Sequence, residues 1–140
     1  MKIEVLTEKE RARFAEMERE IFNEISFFSK IPLPKQRHCF VVNGGYALID
    51  LIEDEAELLQ IGVLPLFRRK GIGGALLNEV IAYLKNEQVS RLFLEVRESN
   101  CVAQALYKSY GFKESGRRKG YYKSPNEDAL NFMLILIDRH

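Results

Sequence analysis

Val63-Leu-Pro-Leu-Phe-Arg68-Arg69-Lys70-Gly71-Ile72-Gly73-Gly74 joins a strand-like segment to a helix-like one, and its reading decides the fold. Upstream, Leu58 to Val63 reads as a strand halted by Pro65. Downstream, Ile72, Leu76, Val80, Ile81 and Leu84 form one apolar helical stripe. Glycines let backbone N–H groups approach a ligand that a side chain would hold off. At a helix start those N–H groups lack intrahelical partners and the dipole is positive, so the turn suits an anion. Arg68, Arg69 and Lys70 oppose that dipole, a conflict that a bound polyphosphate removes. A plain glycine-rich helix start with solvated cations is the bland alternative. A P-loop is excluded because no Gly-Lys-Ser/Thr follows. A dinucleotide fingerprint fits only in part. Gly71, Gly73 and Glu95 have suitable spacing, but Leu76 stands where a third Gly or Ala is needed for close packing. The glycines also trail the strand by a proline and several basic residues, and the chain supplies too few parallel βα units.

Working outward, 140 residues suit one domain, expected over 1–140. Apolar residues make up 46% and charged residues 29%, an ordinary balance for a globular protein. Lys+Arg 21 against Asp+Glu 20 leaves +1, so overall charge gives no support for nucleic-acid binding. No apolar run reaches ~18 residues, and Met1-Lys2-Ile3-Glu4 opens no signal-peptide core, so a cytoplasmic protein is expected. Cys39 and Cys101 match no metal-ligand spacing and read as reduced thiols. His38 and His140 are no better placed, and no metal site is expected.

Lys2 to Leu6 alternates as a first strand, and Thr7 with Glu10 forms a capping box for a helix through Phe14, Met17 and Ile21. Phe22 to Pro34 is less regular and reads as a short helix and loop. Cys39–Val42 and Tyr46–Ile52 flank Asn43-Gly44-Gly45 as a hairpin, and Glu53-Asp54-Glu55 makes the next turn. Arg91 to Val96 is a strand. Asn100 caps a helix carrying Ala103, Leu106 and Tyr107, which Gly111 ends. A polar connection leads to a last strand over Leu130 to Ile137. The order is read as β-α-(α)-β-β-β-α-β-α-β-β, a mixed α+β chain.

Val63-x-Pro65 followed by Arg68-x-x-Gly71-x-Gly73 resembles the acetyl-CoA pyrophosphate loop of the GNAT acetyltransferase superfamily. Leu94-Glu95-Val96-Arg97-x-Ser99-Asn100, Ala105-Leu106-Tyr107, Gly111-Phe112, Tyr121-Tyr122, Glu127-Asp128-Ala129 and Met133 narrow the likeness to bacterial ribosomal-protein alanine N-acetyltransferases and their eukaryotic N-terminal relatives. It covers roughly Leu58 to Met133. The resemblance implies a three-layer fold: a mixed, mostly antiparallel sheet of about 6–7 strands, splayed between strands 4 and 5 and flanked by about four helices. It implies that Arg68, Arg69, Lys70, Gly71, Ile72, Gly73 and Gly74 hold the pyrophosphate. Ile61, Val63, Asn100 and Tyr107 would also contact acetyl-CoA, with the Val63 N–H against the thioester oxygen. Tyr121 and Tyr122 would hold the acceptor's N-terminal residues. Relatives often carry a Pro-Trp pair near the second helix, whereas this chain has no tryptophan and offers Phe27-Phe28.

The chemistry asks for such residues independently. An amine attacks a thioester only as the free base. An α-amine with a pKa near 7.8 costs about 1 kcal/mol to deprotonate at pH 7, and a lysine near 10.4 about 4.6. A carboxylate can serve as the base, directly or through water. Glu95 is the candidate, and Tyr107 is the acid that protonates the departing thiolate. The bland alternatives are a surface pairing of Glu95 with Arg97 or Arg91, a core role for Tyr107, and sheet packing of the tyrosine pair. Other members of the superfamily place their base on the fourth strand, and Glu57, near that position, is the second candidate and a substrate contact. With Glu53, Asp54 and Glu55 it could attract a basic peptide, although such a run more often makes a solvated turn. Cys101 has no histidine near in sequence to activate it as an acyl carrier. The expected reaction is therefore direct transfer from acetyl-CoA to a protein N-terminus. Lysine or small-amine acetylation, a non-catalytic acyl-CoA sensor and a dinucleotide-binding fragment stand as alternatives.

Overall fold

A computed structural model describes residues 4–5 and 37–138. Seven strands share one sheet: β1 (Glu4–Val5), β2 (Arg37–Val42), β3 (Gly45–Ile52), β4 (Glu55–Val63), β5 (Arg91–Arg97), β6 (Lys113–Lys123) and β7 (Asn126–Ile135). They lie in the order β1-β2-β3-β4-β5-β7-β6. β4 and β5 run parallel, and every other neighbouring pair is antiparallel. Two α-helices, α1 (Ile72–Asn86) and α2 (Cys101–Ser109), and a 3-10 turn at Pro65–Phe67 complete the described residues. Of the about four helices expected, the one opening at Thr7 and the short one between Phe22 and Pro34 lie outside the described residues.

α1 forms where the apolar stripe predicts it. Ile72, Leu76, Leu77, Val80 and Leu84 are buried along one face. They meet Phe40, Ala47 and Ile49 from the first hairpin and Leu92, Leu94 and Val96 from β5 in one core. The hairpin turn needs Gly44 for two reasons. Its φ of 89° disfavours an L side chain, and a Cβ there would lie 2.3 Å from Phe67 Cγ. Asn100 caps α2 as expected, its Oδ1 accepting the Ala103 N–H at 3.1 Å.

Strand bounds differ from the sequence reading by one or two residues at β2, β3 and β5, and by more at β4, β6 and β7. β4 begins at Glu55, three residues before the expected Leu58, because Glu55 and Glu57 alternate with buried Ala56 and Leu58. The acidic turn is thus shorter and its end belongs to a strand. β6 occupies the stretch read as a polar connection, although the order read from the sequence already had two strands after the last helix. It is an edge strand exposed along most of its length, so it carries no period-two apolar signal. β7 runs from Asn126 to Ile135 instead of Leu130 to Ile137, since its first residues pair with that polar edge.

Candidate active site at the parting of two strands

The parallel pairing of β4 with β5 runs from Glu55↔Arg91 to Leu58↔Leu94. On the other side of β4, Leu48 pairs with Gln60 and Ile49 with Leu58, leaving Leu59 as an extra residue. Such a bulge bends and twists its strand. It falls directly after the last β4–β5 pair, and there the strands separate. The opening is a cleft of about 260 Å³ lined by Gln60 and Ile61 on one wall and by Glu95, Asn100, Tyr107 and Tyr122 on the other. A second cavity of about 240 Å³ is lined by Glu57, Phe93, Glu95, Arg118 and Asn131. Leu94 and Glu95 line both.

Glu95 owes its position to strand alternation. Leu92, Leu94 and Val96 turn into the core, so Phe93, Glu95 and Arg97 face the other way. Its side chain is 17% exposed, and Oε1 pairs with Arg118 Nε at 3.1 Å. Oε2 is buried with no hydrogen-bond partner. The alternative of a surface pairing with Arg97 or Arg91 does not occur, because Arg97 binds Glu127 and Arg91 binds Glu55. Glu57 stands on the same face, next to Phe93 in register. Burial first, then repulsion from Glu95 and Asp50, push the Glu57 carboxyl above its ordinary range.

Tyr107 projects from α2 and is 7% exposed, its ring tilted against Phe112 with centroids 5.6 Å apart. Burial, with a smaller contribution from Tyr122, pushes its phenol up to about 12, so it carries its proton at neutral pH. Tyr122 enters the cleft while Tyr121 stands 49% exposed. The two rings meet edge to face at 5.1 Å. Arg97 lies 4.2 Å from the Tyr122 ring centre and Arg118 5.4 Å from that of Tyr121. Glu127 fastens the turn before α2, accepting Arg97 Nη1 at 3.1 Å and the Ser99 N–H at 2.6 Å.

The glycine-rich turn sits at the start of α1. Gly71 is the N-cap at φ 77°, and no side chain caps the helix. A Cβ on Gly71 would meet nothing within 4 Å, so the turn is open on that side. Arg68, Arg69 and Lys70 are exposed. Arg68 Nε donates to the Val63 carbonyl at 3.2 Å, tying the loop to the end of β4. Gly74 has a different role. Tyr110 Oη donates to its carbonyl at 3.0 Å, and a Cβ there would lie 2.7 Å from that oxygen. Uncapped N–H groups with exposed cations around them are what a nucleotide pyrophosphate requires.

The structure therefore brings Glu95, Tyr107, Asn100, Ile61 and Tyr122 to one cleft. It sets Glu57 in the adjoining cavity and Tyr121 outside both. Arg118, Asn131 and Tyr110 were not singled out from sequence. Arg118 and Asn131 reach the site only through cross-strand register, which a single sequence does not display. Of the acidic run, Asp54 accepts the Ser90 hydroxyl at 3.0 Å, whereas Glu55 and Glu57 both line the second cavity, Glu55 from its pairing with Arg91 at 3.7 Å.

Residues 6–112 match the acetyltransferase (GNAT) family model. The chain belongs to the acetyltransferase (GNAT) family. It is 44% identical over 89 residues to the [ribosomal protein bS18]-alanine N-acetyltransferase of Escherichia coli strain K12, a match covering 62% of this chain and 60% of that protein. A Bacillus subtilis protein, named a putative enzyme of the same kind, is 34% identical over 110 residues, or 75% of this chain and 73% of its own length. The crystal structure of the ribosomal-protein-S18-alanine N-acetyltransferase from Escherichia coli superposes with a TM-score of 0.88 at 31% identity, covering 99% and 96% of the two chains. The GNAT fold expected from the glycine-rich turn is present, splayed between β4 and β5.

Glu57→Gln probes the candidate site through folding. A carboxyl raised in the folded state favours folding below the unfolded value of 4.5 and loses that contribution as pH climbs through the folded value. The variant should match the parent's melting temperature at about pH 4 and exceed it at about pH 7.5. Equal melting temperatures at both would show that Glu57 is not held in a costly place.

Proposed function

We propose that this chain is an acetyl-CoA-dependent N-acetyltransferase whose acceptor is the α-amine of a protein N-terminus, with a ribosomal protein as the candidate. It would work as a single catalytic domain in the cytoplasm, by direct transfer in a ternary complex. The observation that carries the reading is that Glu95 lines two adjoining cavities at the parting of β4 and β5. One cavity, walled by Gln60 and Ile61 near the end of β4, suits the thiol arm. The other suits an amine.

When bound, acetyl-CoA supplies a thioester carbonyl open to attack. Arg68 to Gly74 hold the pyrophosphate through N–H groups and charge, and the freed edge of β4 at Ile61 and Val63 flanks the arm. Asn100 and Tyr107 close the far side. Glu95 takes the proton that the acceptor nitrogen loses as its bond to carbon forms. Tyr107, kept protonated by burial, donates to the departing sulfur. Glu57 borders the acceptor's amine, while Tyr122, steadied by Arg97, would meet the acceptor's first residues from the neighbouring cleft and Tyr121 from outside both cavities. The names of the relatives support an N-terminal acceptor.

The test is to incubate the protein with acetyl-CoA and two peptides and weigh the products. One peptide has a free N-terminal alanine and no lysine, and the other is N-blocked with lysines. Acetylation of the first alone is expected. Acetylation only of the second would keep the family chemistry and overturn the acceptor. Tight binding of CoA with no product on either would leave a sensor or a small-amine enzyme.

A further inference from the structure

Asn131 has no part in the scheme above, yet it stands directly opposite Glu95 in the β5–β7 register. Opposed residues of antiparallel strands raise their side chains from the same face, a few ångströms apart. Asn131 lines the acceptor-side cavity with Glu57, Glu95 and Arg118. Glu95 Oε2 and Asn131 Oδ1 are the two buried side-chain polar atoms among the described residues with no hydrogen-bond partner. Buried acceptors are ordinarily paired, and leaving one unmade is destabilising. Here two such oxygens share one cavity. On the far side Asn131 pairs with Gly116, where a Cβ would meet Asn131 Cβ at 3.9 Å. Glycine there leaves the amide uncovered by any side chain at that position.

We propose that Asn131 is a substrate-binding residue: its Oδ1 and Glu95 Oε2 receive the two N–H groups of a primary acceptor amine and so aim the nitrogen lone pair at the thioester. The inference rests on the transferase reading above and adds to it the class of amine selected. A neutral primary amine has two N–H donors and one lone pair. With both donors held, the lone pair has one direction left. As nitrogen attacks, the proton shared with Glu95 passes to the carboxylate. The carbon–sulfur bond breaks and the sulfur takes the Tyr107 proton. The one N–H of the amide product stays on Asn131. An amide oxygen does not titrate, so this grip is independent of pH near neutrality, unlike one made by a second carboxylate. A secondary amine, such as an N-methylated or proline N-terminus, has one N–H as the free base and leaves one buried oxygen unpaired.

The experiment compares the parent protein with Asn131→Leu, which is close in volume and has no acceptor. Two lysine-free peptides are used, one beginning with alanine and one with N-methylalanine. The parent should favour the primary amine in kcat/KM by roughly tenfold or more. Asn131→Leu should lose roughly tenfold in kcat/KM on the alanine peptide, keep its KM for acetyl-CoA, and lose most of the preference between peptides. Its melting temperature should hold or rise, because an unpaired buried oxygen is gone. Calorimetric titration of the alanine peptide onto the CoA-bound protein should show the same weakening without turnover. A merely structural Asn131 would leave kcat/KM within about twofold, and that result overturns the proposal. Should Asn131→Leu fail to fold, Asn131→Ala is read the same way, and equal parental rates on the two peptides overturn the proposal without any variant. A parent that binds CoA but modifies neither peptide overturns the transferase reading and this inference together. A parent that modifies alanine while the variant keeps pace overturns this inference alone.

Discussion

Glu95→Gln is expected to lower kcat for peptide acetylation by about 10²–10⁴-fold while leaving acetyl-CoA affinity nearly unchanged. The amide keeps the shape and volume of the carboxylate, so the walls of both cavities stay in place. It cannot take up a proton, and the acceptor nitrogen must then release its own to water. Arg118 loses its ionic partner, but at 59% side-chain exposure it is largely solvated already, so folding should be little affected. Steady-state kinetics on the alanine peptide, with calorimetry for CoA, separate the two effects. Near-normal kcat would remove Glu95 as the base and move attention to Glu57, whose carboxyl is poised higher by burial and by Glu95 itself. Glu57→Gln then becomes the deciding variant, since it should slow turnover severely only if Glu57 is the base.

Tyr107→Phe is the second large effect, an expected drop of about 10²-fold or more in kcat with the acceptor's KM little changed. The ring stays packed against Phe112, so the loss is confined to the hydroxyl. A phenol at about 12 is a reluctant acid for a thiolate in water. However, the burial that raises the phenol also raises a thiolate held beside it, which narrows the gap between donor and acceptor. The useful consequence of the shift is that Tyr107 is a hydrogen-bond donor throughout the neutral range. If Tyr107→Phe retains parental kcat, the leaving sulfur is protonated by solvent and Tyr107 is a wall of the cleft. A better leaving group offers a further check, because an acyl donor with a more acidic thiol should shrink the defect of the Phe variant.

Much of the fold was legible because its signals are local. Asn43-Gly44-Gly45 marks a hairpin whose glycine adopts a positive φ, and the stripe from Ile72 to Leu84 becomes the buried face of α1. Asn100 was readable as a cap for the same reason, since capping depends on residues only three apart. The bounds of β6 were not, because an exposed edge strand of charged residues has the composition of a loop. The start of β4 was obscured in the same way by Glu55 and Glu57.

By itself the sequence determined the family, the glycine-rich turn, and the residue types that can lose and supply protons. The tertiary structure decided which of them meet. Arg118 reaches Glu95 from two strands away, Asn131 faces it across one, and the bulge at Leu59 opens the cleft that Tyr107 and Tyr122 enter. Helical and strand periods are carried by neighbours along the chain. Register, bulge position and the parting of two strands depend on partners roughly 10 to 40 residues away, where side-chain packing rather than local preference selects the arrangement.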